Sequence, residues 1–466
     1  LRYFAICVVL VFCSVPSVFA QESVGFSNPD NIEPLLDYRL PDWGYSNFYL
    51  DFDARGTGQD VKVGDTKNVR RNGDFSIEPT YRLFRESEER IFNLNTSVDT
   101  RYIGVVQSSS SSSSDTERKR RDFYFDIDFS TDLREYITNR SFLLGEVNMA
   151  LDYVSSKREN FDDTGLDAKN ISYDRNFSAT PRVGYGFGRV RNVNPNIRAI
   201  RLEERAKAVN GGFDFSRQDI QGAADQFTRY NGYQQTYDRP EKYFWSDMDE
   251  AMSPNISSLN TFDMLYLTDV LNEAIGTRLE GWEVIGGAEF DYQNDLDRTE
   301  ENSTVDRSKY IRKRAGLFVD GRWYENISLT QQWGVTGNAM LSYPLRDGDS
   351  NTLEEKRSLS LQAGVNYLWN VSDRFLFRSE LSNIYSRSKL EGFSIGGGDV
   401  FSQWTNRLLL NNNFSYYLEN SLSLTLSLNS TLTHKGNTQS DATLDARRFN
   451  WSAGLGLRYY FSRNLY

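Results

Sequence analysis

From about residue 45 to the C-terminus, apolar and polar residues alternate in short runs, with a period of two. The last run is the clearest: Phe449, Trp451, Ala453, Leu455, Leu457, Tyr459 and Phe461 interleave with Arg448, Asn450, Ser452, Gly454, Gly456, Arg458 and Tyr460. Leu422, Leu424, Leu426 and Leu428 interleave with Ser423, Thr425, Ser427 and Asn429 in the same way, as do Phe48, Leu50 and Phe52 near the front. Phe123, Phe125, Ile127 and Phe129 alternate with Tyr124, Asp126, Asp128 and Ser130. A helix would scatter each set round its circumference, whereas a strand puts one set on each face. The pattern predicts strands over 45–55, 74–84, 90–104, 121–132, 142–154 and 175–189. It resumes over 282–293, 310–324, 328–343, 357–369, 374–386, 403–417, 421–434 and 447–461, with a lapse at Asn411–Asn413. The count is about fourteen, within a range of roughly twelve to sixteen. Connections alternate between short ones, such as 85–90, and long polar ones at 56–73, 105–120, 155–174, 294–309, 344–356, 387–402 and 435–446.

Between 190 and 281 the period moves towards that of a helix. Ile197 and Ile200 open a charged stretch, and Ser216 with Asp219 forms a capping box ahead of Ile220, Ala223, Ala224 and Phe227. Pro240 suits the first turn of a helix carrying Phe244 and Met248, and Ser258 is placed to cap a last one carrying Met264, Leu267 and Leu271. The organisation expected is a leader over 1–20, an N-terminal extension over 21–44, strands over 45–189, a helical insert over 190–281 and strands over 282–466.

The leader rests on Arg2 ahead of an apolar run and on the small-residue cleavage site Val18-Phe19-Ala20. A lipoprotein reading on Cys13 is disfavoured, because Phe12 stands where a small residue is wanted. Cys7 and Cys13, the only cysteines, both lie in that leader, so disulfides and thiolate chemistry are excluded from the rest. With 14% aromatic residues at a mean hydropathy of −0.59, the composition suits many strands with one apolar and one wet face. A net charge of −11 argues against a nucleic-acid partner. No later stretch is apolar for long enough to make a membrane helix. A membrane-spanning form would therefore have to be a closed barrel, in which every backbone group is paired.

The leader, the aromatic-rich alternation and the aromatic C-terminal strand together resemble Gram-negative outer-membrane β-barrel proteins, porin-like ones among them, without pointing to one family. The ending Gly454–Phe461 is similar to the terminal assembly signal of that class, although the chain runs on to Tyr466. That resemblance implies an all-β antiparallel transmembrane barrel in the cell outer membrane, in contact with lipid and lipopolysaccharide. It also implies engagement of the barrel-assembly machinery by the last strand. Parity of the strand count, with both chain ends in the periplasm, places the insert there, where it could meet a periplasmic protein partner.

Alternation sends a set of charges to the lumen. The acids include Asp51, Asp53, Glu78, Asp99, Asp126, Asp128, Glu146, Asp152, Glu289 and Asp291; the arginines include Arg82, Arg314, Arg322, Arg378 and Arg458. Two arrangements fit: a water-filled pore that favours cations, or a lumen closed by arginine–carboxylate pairs. The single histidine, His434, falls at the outer end of a strand with no nucleophile motif beside it, and no catalytic, metal-binding or cofactor motif is present. The basic run Arg118–Arg121 is either a solvated loop or a contact for lipopolysaccharide phosphates. The leading expectation is a non-enzymatic channel or transport protein for small polar or ionic solutes. The second is a non-conducting envelope structural or assembly protein that binds its partner through the insert.

Overall fold

A computed structural model describes residues 26–111, 114–163, 165–209, 214–253, 259–273, 275–301, 304–346, 353–372, 375–392, 399–418, 422–439 and 442–459. The leader, Phe461 and Tyr466 lie outside the described residues. The strands form one antiparallel fourteen-stranded meander in sequence order. They are β1 (Trp43–Val63), β2 (Thr66–Glu86), β3 (Arg90–Ser110), β4 (Asp115–Tyr136), β5 (Ser141–Asp162), β6 (Gly165–Asn192) and β7 (Leu279–Glu301). The second half comprises β8 (Thr304–Ser328), β9 (Gln331–Arg346), β10 (Leu353–Ser372), β11 (Phe375–Gly392), β12 (Asp399–Leu418), β13 (Leu422–Gln439) and β14 (Ala442–Tyr459). Each expected strand falls on one of these, apart from end residues. The lapse at Asn411–Asn413 does not interrupt β12, where Asn412 pairs with Leu428 across the outer face.

The long polar connections expected from the sequence are largely strand. At 56–73 the chain continues as strand to a tight turn at Gly64 (φ +61°) and Asp65, with Arg55 opposite Asp74 and Lys62 opposite Lys67. Strands likewise occupy most of 105–120, 155–174, 294–309 and 435–446. Above the apolar belt both faces of a strand are wet, so ladder hydrogen bonds continue where the apolar period has ended. The serine run shows this, with Ser108–Ser110 completing β3 opposite Asp115–Glu117.

Register carries all large exposed apolar strand side chains in the belt to one face. Phe48 and Leu50 on β1, Val183 on β6, Leu317 on β8, Leu381 on β11 and Leu455 on β14 are 67%, 55%, 63%, 65%, 44% and 72% exposed. The opposite face carries the charges and is concave, because side chains on it reach across intervening strands. Arg134 on β4 bonds Glu283 on β7 at 3.0 Å, three strands along, and Arg182 on β6 bonds Asp320 on β8 at 3.2 Å. Flat strands about 4.8 Å apart would hold the first pair's backbones roughly 14 Å from each other. Among the described residues β1 pairs with β2 alone and β14 with β13 alone. The expected closed barrel is thus present as a curved wall with one open seam.

A small apolar cluster fills the concave face between β4 and β8. Phe142, Leu144, Ile285 and Phe318 are all buried there, with Tyr136 packed against them. The rings lie over glycines: a side chain at Gly186 would overlap Phe142, and one at Gly287 would come within 2.7 Å of Phe318. At the foot of β6, Gly188 adopts φ +97°. Beyond that kink Arg189 lies inside, its guanidinium 3.5 Å from the Tyr136 ring centroid.

The insert is helical over 194–272, shorter than expected because β6 runs to Asn192 and β7 starts at Leu279. It contains α2 (Asn194–Val209), α3 (Arg217–Thr236), α4 (Pro240–Ala251), α5 (Thr261–Thr268) and a 3-10 turn, Asp269–Asn272; the N-terminal extension adds α1 (Glu33–Asp37). The capping box forms as expected, Ser216 Oγ accepting from Asp219 N–H, and Pro240 takes the first turn of α4. The last helix is capped by Asn260, whose side chain accepts from the N–H groups of Phe262 and Asp263, and not by Ser258, which lies outside the described residues. The N-terminal extension contributes Leu35, Tyr38 and Leu40 to a core with Ile197, Leu202, Ala223, Phe244 and Met248. Each such large apolar side chain contributes about 1.5–3 kcal/mol on burial.

Candidate functional site

The concave wall divides into two electrostatic regions. Around Arg182 and Glu283, on the inner face of β4–β8, the charges are paired. Arg182 lies between Glu146 (3.1 Å), Glu289 (3.0 Å) and Asp320 (3.2 Å), with its guanidinium 3.9 Å from the Phe318 ring centroid. Below it Glu283, 2% exposed, accepts from Arg134 at 3.0 Å and Arg322 at 2.7 Å. Asp291 meets Arg312 at 3.2 Å, and Arg314 meets Glu355. Of the expected lumen set, Glu146, Glu289, Asp291, Arg314 and Arg322 are therefore crosslinks of the wall. Alternation places Arg182 inside, with Glu283 and Asp320, but does not mark it as the hub, because pairing between non-adjacent strands depends on curvature.

Over β1–β5 the acids outnumber their partners. Asp126 faces Asp99 on β3 and Asp152 on β5 in the register, with Asp128 two residues on. Among the described residues Asp51, Asp126 and Asp128 form no ion pair. Asp53 bonds Arg55 at 2.6 Å on the exposed upper part of β1, and Arg82 lies 5.5 Å from the Tyr49 ring centroid. On the far side Arg378 and Glu380 line a cavity of about 210 Å³ with Asn411, Asn413 and Ser427. The backbone of Arg458, in β14, pairs with Ser423 of β13; its side chain lies outside the described residues. The basic run is strand, not loop: Lys119 and Arg121 share the outer face of β4 while Arg118 and Arg120 turn inward, Arg120 bonding Asp122 at 2.7 Å. His434 sits on the outer face against Trp404 and pairs with Asp445; no hydroxyl is hydrogen-bonded to the ring among the described residues.

One end of the wall is overlaid by the helices. They lie at the end where β1 begins and where the tight β2–β3, β4–β5 and β8–β9 turns are found. Asn47 on β1 donates to the Gln235 carbonyl at 3.0 Å, Leu329 N–H donates to the Pro29 carbonyl at 2.7 Å, and Gly276 packs on Leu368 of β10. Arg278, 1% exposed, lies at the joint and donates to the Leu329 carbonyl at 3.3 Å; burial pushes it down to about 10, so it stays charged at neutral pH. Glu88 in the β2–β3 turn is a latch. It accepts from Leu40 N–H at 2.9 Å, from Arg191 at 3.0 Å and from Arg189.

Burial raises the Glu88 carboxyl, but the hydrogen bonds from Arg191 and Leu40 and the two arginine charges outweigh it and hold it below its usual value. A depressed carboxylate contributes stability that is present above its unfolded pKa and lost as pH falls through the folded one. Protease cleavage within the helices should therefore accelerate below the usual carboxylate range, and Glu88→Gln should flatten that dependence. An unchanged pH profile in Glu88→Gln would mean that the latch contributes nothing.

No family model matches the chain, and no curated protein matches it. Solved structures of low similarity include the translocator domain of the autotransporter NalP from Neisseria meningitidis, at 10% identity over 83% of this chain and 92% of that one, with a TM-score of 0.20. The transport unit of the autotransporter AIDA-I from Escherichia coli aligns at 11% identity over 91% and 92%, with a TM-score of 0.19. A BenF-like porin from Pseudomonas fluorescens Pf-5 aligns at 8% identity over 90% and 100%, with a TM-score of 0.21.

Proposed function

We propose that the chain is a porin-like outer-membrane β-barrel whose lumen passes small polar or ionic solutes, cations ahead of anions. The observation that carries this reading is the segregation of the two faces. Large apolar side chains stand exposed along the convex face of strands from β1 to β14, while the concave face holds the charges and amides. Exposed apolar area of that extent is unfavourable in water and is what a lipid-facing wall requires. Lipid then lies against the convex face, Lys119 and Arg121 stand within reach of lipopolysaccharide phosphates, and β14 engages the barrel-assembly machinery. The helices lie on the periplasmic side, at the end where β1 begins.

The unpaired acids over β1–β5 supply the cation preference, since carboxylates lining a pore favour cations. Asp126→Asn combined with Asp128→Asn should lower the cation selectivity of the refolded protein in planar bilayers, read as a smaller reversal potential in a salt gradient. A conducting protein whose reversal potential is unmoved by the pair would remove these acids from the pathway.

A second reading is favoured by the helices that overlay one mouth, on which Phe262 is 84% and Leu265 46% exposed. In it the protein does not conduct and holds a periplasmic partner through α5. Absence of conductance, with a partner that co-purifies only when 194–272 is present, separates it from the first.

A further inference from the structure

The two free edges, β1 and β14, are the most conspicuous unpartnered surface of the wall. Both are long, at 21 and 18 residues, and each leaves one side of its backbone without ladder partners among the described residues. Exposure marks the same seam: from Asp445 to Leu457 every residue of β14 is exposed, on both faces, unlike strands in the middle of the wall.

The registers determine how these edges can meet. Following the pairings straight across the sheet from Trp43, the foot of β1, the line passes Leu144 on β5, Phe318 on β8 and Ser386 on β11 and arrives at Ala446 on β14. Ala446 lies near the upper end of β14, which begins at Ala442. Most of β14 therefore hangs below the foot of β1, and level closure would leave the edges almost without overlap. Closure has to be staggered, and only in the direction that slides β14 up along β1.

Two conditions fix the amount. Inward residues must meet inward residues, so Asp51 has to oppose Ser452, Gly454 or another even-numbered position of β14. Staggers of other parity would turn Phe48 and Leu50 towards the lumen. The slide must also give a strand tilt of about 35–45°. We infer that β1 pairs antiparallel with β14 in the register that sets Leu50 opposite Ala453 and Asp51 opposite Ser452. In that register the whole of β14 lies against β1, Phe48 meets Leu455 and Phe52 meets Trp451. Leu50, the middle of the apolar stretch of β1, falls opposite the middle of the run from Phe449 to Leu457. The stagger is one residue per strand, which at about 3.3 Å rise and 4.8 Å spacing corresponds to a tilt of roughly 35°. Two residues less gives roughly 30°, outside the usual range. Two residues more moves Phe449 opposite Gly56, beyond the apolar stretch of β1.

The seam bears on conduction as well. Ser452 comes to stand opposite Asp51 with Asn450 and Gly454 diagonal to it, so closure brings no cation to Asp51, whereas Asp53, already bonded to Arg55, gains Arg448 as a diagonal neighbour. The inference rests on the barrel reading above and adds the partner of each edge.

Disulfide trapping in cell envelopes tests it, in the full chain with Cys7→Ser and Cys13→Ser, which leaves no other cysteine. Leu50→Cys with Ala453→Cys probes an outward pair, and Asp51→Cys with Ser452→Cys an inward pair. Opposed residues in an antiparallel ladder alternate between two spacings, so one of these pairs has the closer approach. Mild oxidation should join most of the chain internally in at least one of them, and Asp51→Cys with Arg448→Cys, four residues out of register, should stay reduced. If the parent is heat-modifiable and both designed pairs stay reduced, the register is wrong while the barrel stands. A disulfide between two chains would show that the edges pair with a second copy instead. A parent that neither fractionates with the outer membrane nor shifts on heating would overturn both.

Discussion

Leu426→Arg should lower the yield of folded, heat-modifiable protein more than tenfold, whereas Ser427→Arg should leave it near that of the parent. Leu426 stands four residues into β13 from Leu422, between Leu455 and Phe414, within the apolar band of the convex face. A guanidinium on a lipid-facing strand near the midplane costs about 2–4 kcal/mol. Its outward neighbours along the strand, Leu424 and Leu428, are apolar too, so the guanidinium has no polar group beside it on that face. Ser427 points to the other face, where Asn413 and Gly454 are its cross-strand neighbours and Glu380 and Asn429 line the same cavity. An arginine added there stays in water. Yield after refolding in detergent or lipid, scored by the mobility shift on heating, reads the difference. Equal yields would show that the wall does not face lipid on its convex side.

Removal of one buried carboxylate should open the helices without affecting the wall. Glu273, just beyond the 3-10 turn, bonds Arg201 at 2.8 Å and Arg205 at 2.6 Å, and the three side chains are 3%, 3% and 5% exposed. Glu273→Ala leaves two arginine charges in a low-dielectric core short of the carboxylate they share, a change that typically costs about 3–5 kcal/mol. That is a large part of the stability available to a subdomain of this size. Limited proteolysis should show cleavage within 194–272 at enzyme levels that leave the parent intact, with the strands still heat-modifiable. If Glu273→Ala resists cleavage like the parent, then apolar packing around Leu202 and Phe244 holds the subdomain alone, and the ion pairs contribute little.

The strands, their faces and their number were legible in the sequence, because each depends on local alternation. Whether a strand residue faces lipid or lumen follows from parity once the apolar set is recognised, and so Asp51, Asp126, Glu146 and Arg322 could be placed on the concave face from sequence. The capping box at Ser216 and Asp219 and the first-turn Pro240 were legible for the same reason: each is complete within four residues or fewer.

Tertiary structure alone decided what those inward charges do. Arg182 joins acids from three strands, and Glu283 joins arginines on β4 and β8, through curvature that no strand encodes by itself. The same holds for the extension, whose Leu35, Tyr38 and Leu40 join a core with helices of the insert that lie far from them in sequence. The length of the strands above the apolar belt was hidden too, since hydropathy records burial, and a ladder with water on both faces is held by backbone hydrogen bonds that leave no apolar period. Sequence thus determined the pattern each strand presents, which is set by side chains next to one another along the chain. Pairing across the lumen, docking of the helices and the extent of the ladder were left to contacts between residues distant in sequence, where geometry rather than composition selects the partner.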